Sequence, residues 1–149
     1  MVYFYRITHK GGETYMATIS DIEGIGRTQA KKLQEAGVNT VEALLEAGAT
    51  ATQRKHLSEA AGVTETQLLE WVNRADLFRI KGIGSEFSDL LEAAGVDSVP
   101  ELKERNPENL FNALTELNDK KRIVRQLPSL AQITDFITQA GNLPKVVTH

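Results

Sequence analysis

The chain has no cysteine, which excludes a disulfide framework, thiolate metal sites and thiol catalysis, and fits a reducing compartment. Histidine is scarce as well. His9, His56 and His149 share no paired spacing on one helix and have no carboxylate at ligand spacing, so neither a metal site nor a catalytic histidine is expected. No apolar run approaches the ~20 residues of a membrane span, and no membrane partner is expected. Residues 1–10 lack the apolar centre and small-residue cleavage site of a secretory signal, which makes the cytoplasm the expected address. The phosphate loop, the nucleophile elbow and other catalytic signatures are absent, so the sequence reads as that of a protein that is not an enzyme and needs no cofactor. Positive charge is also short: the formal net charge is −3, and residues 1–15, 16–77 and 78–149 carry +1, −3 and −1. Neither half is a basic domain, so a polyanion would have to be held by a local field rather than by the total.

What the sequence does have is a globular composition and an internal repeat. With 149 residues, 41% hydrophobic and 25% charged, it can bury one body of two subdomains. Ile22-Glu23-Gly24-Ile25-Gly26 aligns with Ile80-Lys81-Gly82-Ile83-Gly84 at an offset of 58. The same offset pairs Leu33 with Leu91, Ala36-Gly37-Val38 with Ala94-Gly95-Val96, Val41 with Val99 and Leu44 with Leu102. Further along the offset becomes 65, pairing Leu68 with Ile133, Trp71-Val72 with Phe136-Ile137 and Ala75 with Ala140, so the second copy holds a seven-residue insertion. Residues 19–143 therefore read as a duplication. The domains expected are a first unit over 16–77, a second over 78–149 and an extension over 1–15.

Helix punctuation is dense, and the fold class expected is all-α with four helices in each unit. Thr50 with Gln53, Thr64 with Gln67, Ser98 with Glu101 and Ser129 with Gln132 read as capping boxes, and Asn106-Pro107 as a cap followed by proline at the first helical position. Gly37, Gly48, Gly62, Gly95 and Gly141 stand where helices should end. The spacing predicts helices over 27–36, 41–47, 51–61 and 65–74, then over 86–94, 99–105, 107–124 and 130–140, the seventh lengthened by the insertion. Residues 1–15 break the pattern. Val2-Tyr3-Phe4-Tyr5-Arg6-Ile7-Thr8 is aromatic and β-branched like a strand, and Gly11-Gly12 closes it like a turn, but it has no partner strand in the rest of the chain. Met16 opens the run into the first repeat, so the extension is either a non-native addition ahead of that start or an arm that pairs between subunits.

Ile22-Glu23-Gly24-Ile25-Gly26-Arg27-Thr28-Gln29-Ala30-Lys31-Lys32-Leu33 resembles the helix-hairpin-helix motif of DNA repair and replication proteins. Two glycines let the backbone turn tightly and present successive amides at a helix start, beside its positive dipole end, where a phosphate fits. The resemblance implies a non-specific clamp on the DNA backbone, in some members with a monovalent cation bridging hairpin carbonyls to a phosphate. Gly24, Ile25 and Gly26 form the first candidate site with Arg27, Lys31 and Lys32, since no acid lies between Gly24 and Gln34. Lys81, Gly82, Ile83 and Gly84 form the second, where Glu86 and Asp89 occupy the helix start and Ser88 replaces the expected alanine. The blander reading is that glycine hairpins only pack two helices closely. In the lyase members of the related DNA glycosylases a lysine lies two residues after the second glycine; here those positions are Thr28 and Glu86. From Met16 to His149 the chain resembles a bacterial family of tandem helix-hairpin-helix proteins classed as a domain of unknown function. Trp71-Val72-Asn73-Arg74-Ala75-Asp76-Leu77-Phe78-Arg79-Ile80-Lys81-Gly82-Ile83-Gly84, Asn106-Pro107-Glu108-Asn109-Leu110 and Leu127-Pro128-Ser129-Leu130 carry that resemblance, which supplies a fold and no activity.

Two further stretches stand out. Lys120, Lys121, Arg122 and Arg125 form the most basic run, in the inserted part; it is either a solvated helix face or, with Arg27, Lys31 and Lys32, a phosphate track. Trp71 aligns with Phe136 and reads as a core aromatic, while Asn73, Arg74 and Asp76 read as polar residues that fix the angle between units. The function expected is sequence-independent binding of double-stranded DNA through the Gly-Ile-Gly hairpins. The alternative is a protein-interaction module. A continuous basic face would favour the first and an exposed apolar patch the second.

Overall fold

The computed structural model describes residues 7–8, 14–15 and 18–149. After a single 3-10 turn at Ile19–Asp21 come eight α-helices: α1 (Arg27–Glu35), α2 (Val41–Gly48), α3 (Ala51–Ala61), α4 (Glu65–Leu77), α5 (Ser85–Ala93), α6 (Val99–Lys103), α7 (Pro107–Lys121) and α8 (Leu130–Asn142). Six of them start on a side-chain cap: Thr40, Thr50, Thr64, Ser98, Asn106 and Ser129 each accept a hydrogen bond from the amide three residues on. Such a bond satisfies one of the donors a helix start leaves open. The boxes of Thr50, Thr64 and Ser129 are reciprocal. Ser98 makes only its own half, so the expected box with Glu101 is incomplete.

Several boundaries differ from those read off the sequence, each for a local reason. Helix α4 continues past Arg74 to Leu77, because the junction residues are themselves buried. Helix α7 stops at Lys121 rather than reaching Val124: Asn118 accepts from the Val124 amide at 3.0 Å and donates to its carbonyl at 3.1 Å, turning the chain at Arg122 and folding Val124 inward. Gly141 is no terminator but sits inside α8. Gly48 ends α2, where a Cβ would lie 2.5 Å from Val72 Cγ2, so the glycine permits close approach of α2 and α4.

The core divides in two. One cluster runs from Ile19 to Phe78 and contains Leu33, Leu44, Leu68 and Trp71; the other runs from Leu77 to Ala140 and contains Leu91, Leu102, Ile133 and Phe136. Adjacent residues Leu77 and Phe78 enter different clusters. The packing is itself repeated: α2 on α4, α3 on α4 and α1 on α3 are matched by α6 on α8, α7 on α8 and α5 on α7, and α4 touches α6 across the junction. Residues 143–149 then cross back. Val147 is buried in the first cluster, the Thr148 amide donates to Ala49 O at 2.8 Å, and buried Arg54 donates to the carbonyls of Gly48, Ala49 and Thr148 at 2.9, 3.0 and 2.5 Å. Arg79, paired with Asp76 at 2.9 Å, donates to Pro144 O at 3.0 Å.

In the extension, β1 (Ile7–Thr8) pairs antiparallel with β2 (Thr14–Tyr15), Ile7 opposite Tyr15 and Thr8 opposite Thr14. The strand read at 2–8 thus has its partner within the extension rather than none; its first five residues and the Gly11-Gly12 turn lie outside the described residues. No helix among the described residues is long and apolar enough to cross a membrane.

Candidate nucleic-acid interface

Each Gly-Ile-Gly turn is nailed to its core by the isoleucines on either side of the first glycine. Ile22 and Ile25 are buried in the first cluster, Ile80 and Ile83 in the second, and the amides of Ile25 and Ile83 donate to the carbonyls three residues back at 3.2 and 3.1 Å. The first glycine of each turn has a positive φ, +93° at Gly24 and +103° at Gly82, and an aromatic beneath it. A Cβ on Gly24 would lie 2.8 Å from Arg74 Nη1 and 3.5 Å from Trp71 Nε1; one on Gly82 would lie 2.8 Å from Phe136 Cε1. Trp71, the chain's one tryptophan, is therefore a buried floor for the turn, as its alignment with Phe136 suggested.

The same duplication supplies a clamp that sequence reasoning missed. Arg74 and Gln139 are also 65 residues apart, and each holds the backbone of the residue before the first glycine. Arg74 donates to the Glu23 carbonyl, and Gln139 both accepts from the Lys81 amide at 2.8 Å and donates to the Lys81 carbonyl at 3.0 Å. Arg74 also reaches Glu92 on α5 at 3.0 Å, tying the first hairpin to the second unit, the junction role expected of it. The 65-residue offset is the signal that would have found both clamps. Of the polar junction residues, Arg74 bonds Glu92 and Asp76 bonds Arg79 across the junction, and no such bond of Asn73 occurs among the described residues.

The helices that follow the turns are the two without a side-chain cap. Gly26 and Gly84 are the N-caps of α1 and α5, and neither helix start is closed by a side-chain acceptor. They differ in charge. The first turn of α1 holds no acid, whereas that of α5 holds Glu86. A helix start carries roughly half a positive charge, which Glu86 offsets from within the first turn of α5, whereas no acid of its own first turn does so at α1.

Exposed Arg27 and Lys31, one helical turn apart, line a groove of about 610 Å³ with Ser20, Ile25, Gly26 and Gln34. Lys32 faces elsewhere and donates to Gly62 O at the end of α3 at 3.5 Å. Lys81 is exposed, but its own amide and carbonyl are occupied by Gln139. Lys120, Lys121, Arg122 and Arg125 are all exposed; Arg122 and Arg125 line a second groove of about 610 Å³ with Glu86, Asn118 and Asp119. A third, of about 630 Å³, adjoins the first of these through Ser20, Ile25 and Gly26, runs from the first hairpin to the start of α5 and holds Asp21, Glu23 and Asp89. Of the cations singled out in the sequence, Arg27 and Lys31 thus line one groove and Arg122 and Arg125 another, and Lys32, Lys81, Lys120 and Lys121 line neither.

Asp89 is the perturbed group of this region. Its Oδ1 is buried without a hydrogen-bond partner among the described residues. Burial, and then the charges of Glu23 and Glu92, push its carboxyl up to about 6, against the pull of Arg74 and with a smaller push from Glu86. No group of three or more His, Cys, Asp or Glu able to hold a metal ion occurs among the described residues.

The model of one family matches residues 23–143, most of the chain, and the chain belongs to that family, described as Domain of unknown function (DUF4332). No curated protein and no solved structure matches the chain.

Proposed function

We propose that the chain is a non-catalytic protein of two tandem helix-hairpin-helix units, 16–77 and 78–149, that binds double-stranded DNA by its phosphates without reading bases, and that the first hairpin is the principal contact. The observation that carries this reading is the start of α1: a glycine N-cap with no side-chain acceptor, no acid in the first turn, and Arg27 and Lys31 in the adjoining groove. Phosphate oxygens supply the acceptors that the first-turn amides lack, and the two side chains add the charge that steers and holds them. The second hairpin contributes less, because Glu86 already sits in its helix start. The alternative of a protein-docking module lacks an exposed apolar patch, since Leu130, 38% exposed, is the one large exposed hydrophobic among the described residues, and the DNA reading lacks a continuous basic face and so rests on the first hairpin.

Fluorescence anisotropy with short labelled duplexes of unrelated sequence, at low and at physiological salt, tests the proposal. Equal affinities that weaken roughly tenfold over a fourfold rise in salt, as two phosphate contacts require, are expected. Arg27→Ala with Lys31→Ala should remove most of that binding. A folded double variant that binds as the parent does would take the first hairpin out of the function, and no binding even at low salt would turn the search to a protein partner.

A further inference from the structure

Two grooves share the first hairpin as a common wall. Ser20, Ile25 and Gly26 line both the cationic groove of Arg27 and Lys31 and the carboxylate groove of Asp21, Glu23 and Asp89. A phosphate at the start of α1 is therefore attracted from one side and repelled from the other. The groups that face Asp89 come from three elements: Asp21 and Glu23 from the hairpin segment, Arg74 from α4, and Glu86 and Glu92 from α5 itself. Asp119, Arg122 and Arg125 stand in the other groove, against Glu86. Arg74 is the lone cation among them and is already shared between Glu92 and the Glu23 carbonyl. Among the described residues Asp89 thus has no counter-ion of its own, and one of its oxygens is buried without a hydrogen-bond partner.

Resting on the phosphate reading, we propose that Asp89, acting with Glu23, sets the selectivity of the first hairpin: its carboxylate holds polyanion affinity down, and neutralising it admits the phosphate backbone along the whole hairpin. The neighbouring unit then contributes a restraint on the first hairpin rather than a second grip. Because burial and Glu23 make Asp89 take up a proton near pH 6, the restraint weakens on mild acidification.

The test is anisotropy with a short labelled duplex at constant low ionic strength, from about pH 5 to about pH 8. The parent chain should bind about three- to tenfold more tightly as the pH falls through the Asp89 titration, the effect of removing one charge within a Debye length of a phosphate. Asp89→Asn should hold the tight value at neutral pH and lose the step. Glu23→Gln should tighten binding at neutral pH and move the step to lower pH, since it removes part of the push on Asp89. A step unchanged in Asp89→Asn belongs to another group and overturns the inference, as does parent-like affinity of both variants at neutral pH. Absence of duplex binding by every variant at every pH is a separate failure: it removes the phosphate reading and this inference with it.

Discussion

Replacing Gly82 by alanine puts a methyl group 2.8 Å from Cε1 of Phe136 at a residue whose φ is +103°. Two costs follow. Holding an L-residue in the left-handed region costs about 1–2 kcal/mol. Overfilling the contact costs about 1–3 kcal/mol more, because Phe136 is buried among the second core cluster and has little room to retreat. Gly82→Ala should therefore lose about 2–5 kcal/mol. Gly62→Ala is the control, with φ +73° and nothing within 4 Å of the added carbon, and should lose only the backbone part, about 1–2 kcal/mol. Urea denaturation followed by far-ultraviolet circular dichroism measures both, with unchanged slopes required for the comparison. If the two variants lose the same stability within about 0.5 kcal/mol, the ring beneath the turn is not what demands glycine, and the packing account of the hairpins is wrong.

Lys31→Glu should weaken duplex binding at low salt by about tenfold or more, and Lys32→Glu distinctly less, because Lys31 lines the hairpin groove while Lys32 reaches Gly62 O; equal losses in anisotropy would contradict that division. Ending the chain after Leu143 removes buried Val147 and the Thr148 and Pro144 bonds to Ala49, Arg54 and Arg79, and should cost about 2–4 kcal/mol in urea denaturation; a loss under about 1 kcal/mol would mean that the strap adds little. Asp89 binds its proton more tightly folded than unfolded, so its penalty is absent below the ordinary carboxylate range and appears as the pH rises through about 6. Asp89→Asn should accordingly stabilise the chain at neutral pH and not at pH about 4, and an equal gain at both would remove the titration from the explanation.

How far these features could be read from residues alone depended on whether the cause was local. Thr50, Thr64 and Ser129 announce their helices because a cap and its N3 partner are three residues apart, and the third helix begins and ends where the spacing put it. The boundaries that moved were set by distant partners. Helix α4 outruns Arg74 because Leu77 and Phe78 have cores to enter on opposite sides of the junction, and α7 stops early because the Asn118 side chain is used on Val124 six residues on. The candidate site divides in the same way. Arg27 and Lys31 were legible because they follow the hairpin with no acid before Gln34, but Lys32 was named with them and only its bond to Gly62 O sets it apart. The separation of Arg27 and Lys31 from Arg122 and Arg125 was not legible, because it depends on how the start of α5 lies against the first hairpin.

The duplication makes the divergence between the two hairpins informative. Both copies keep what the turn needs mechanically: paired isoleucines, a left-handed first glycine, an aromatic floor, and a side chain that clamps the preceding residue. What they do not share is charge. Gln139 closes its clamp on both backbone groups of Lys81 and otherwise donates only within its own helix, to Asp135, whereas Arg74 uses one nitrogen on the Glu23 carbonyl and the other on Glu92 of the second unit. The start of α1 is free of acids, and its counterpart carries Glu86, with Asp89 one turn on. Two equivalent phosphate sites would require the same sign at both helix starts, so the pair is not two copies of one such site. An acid-free start beside Arg27 and Lys31, bordered by carboxylates from its own copy, fits a division of labour in which one hairpin binds and the other unit positions and restrains it.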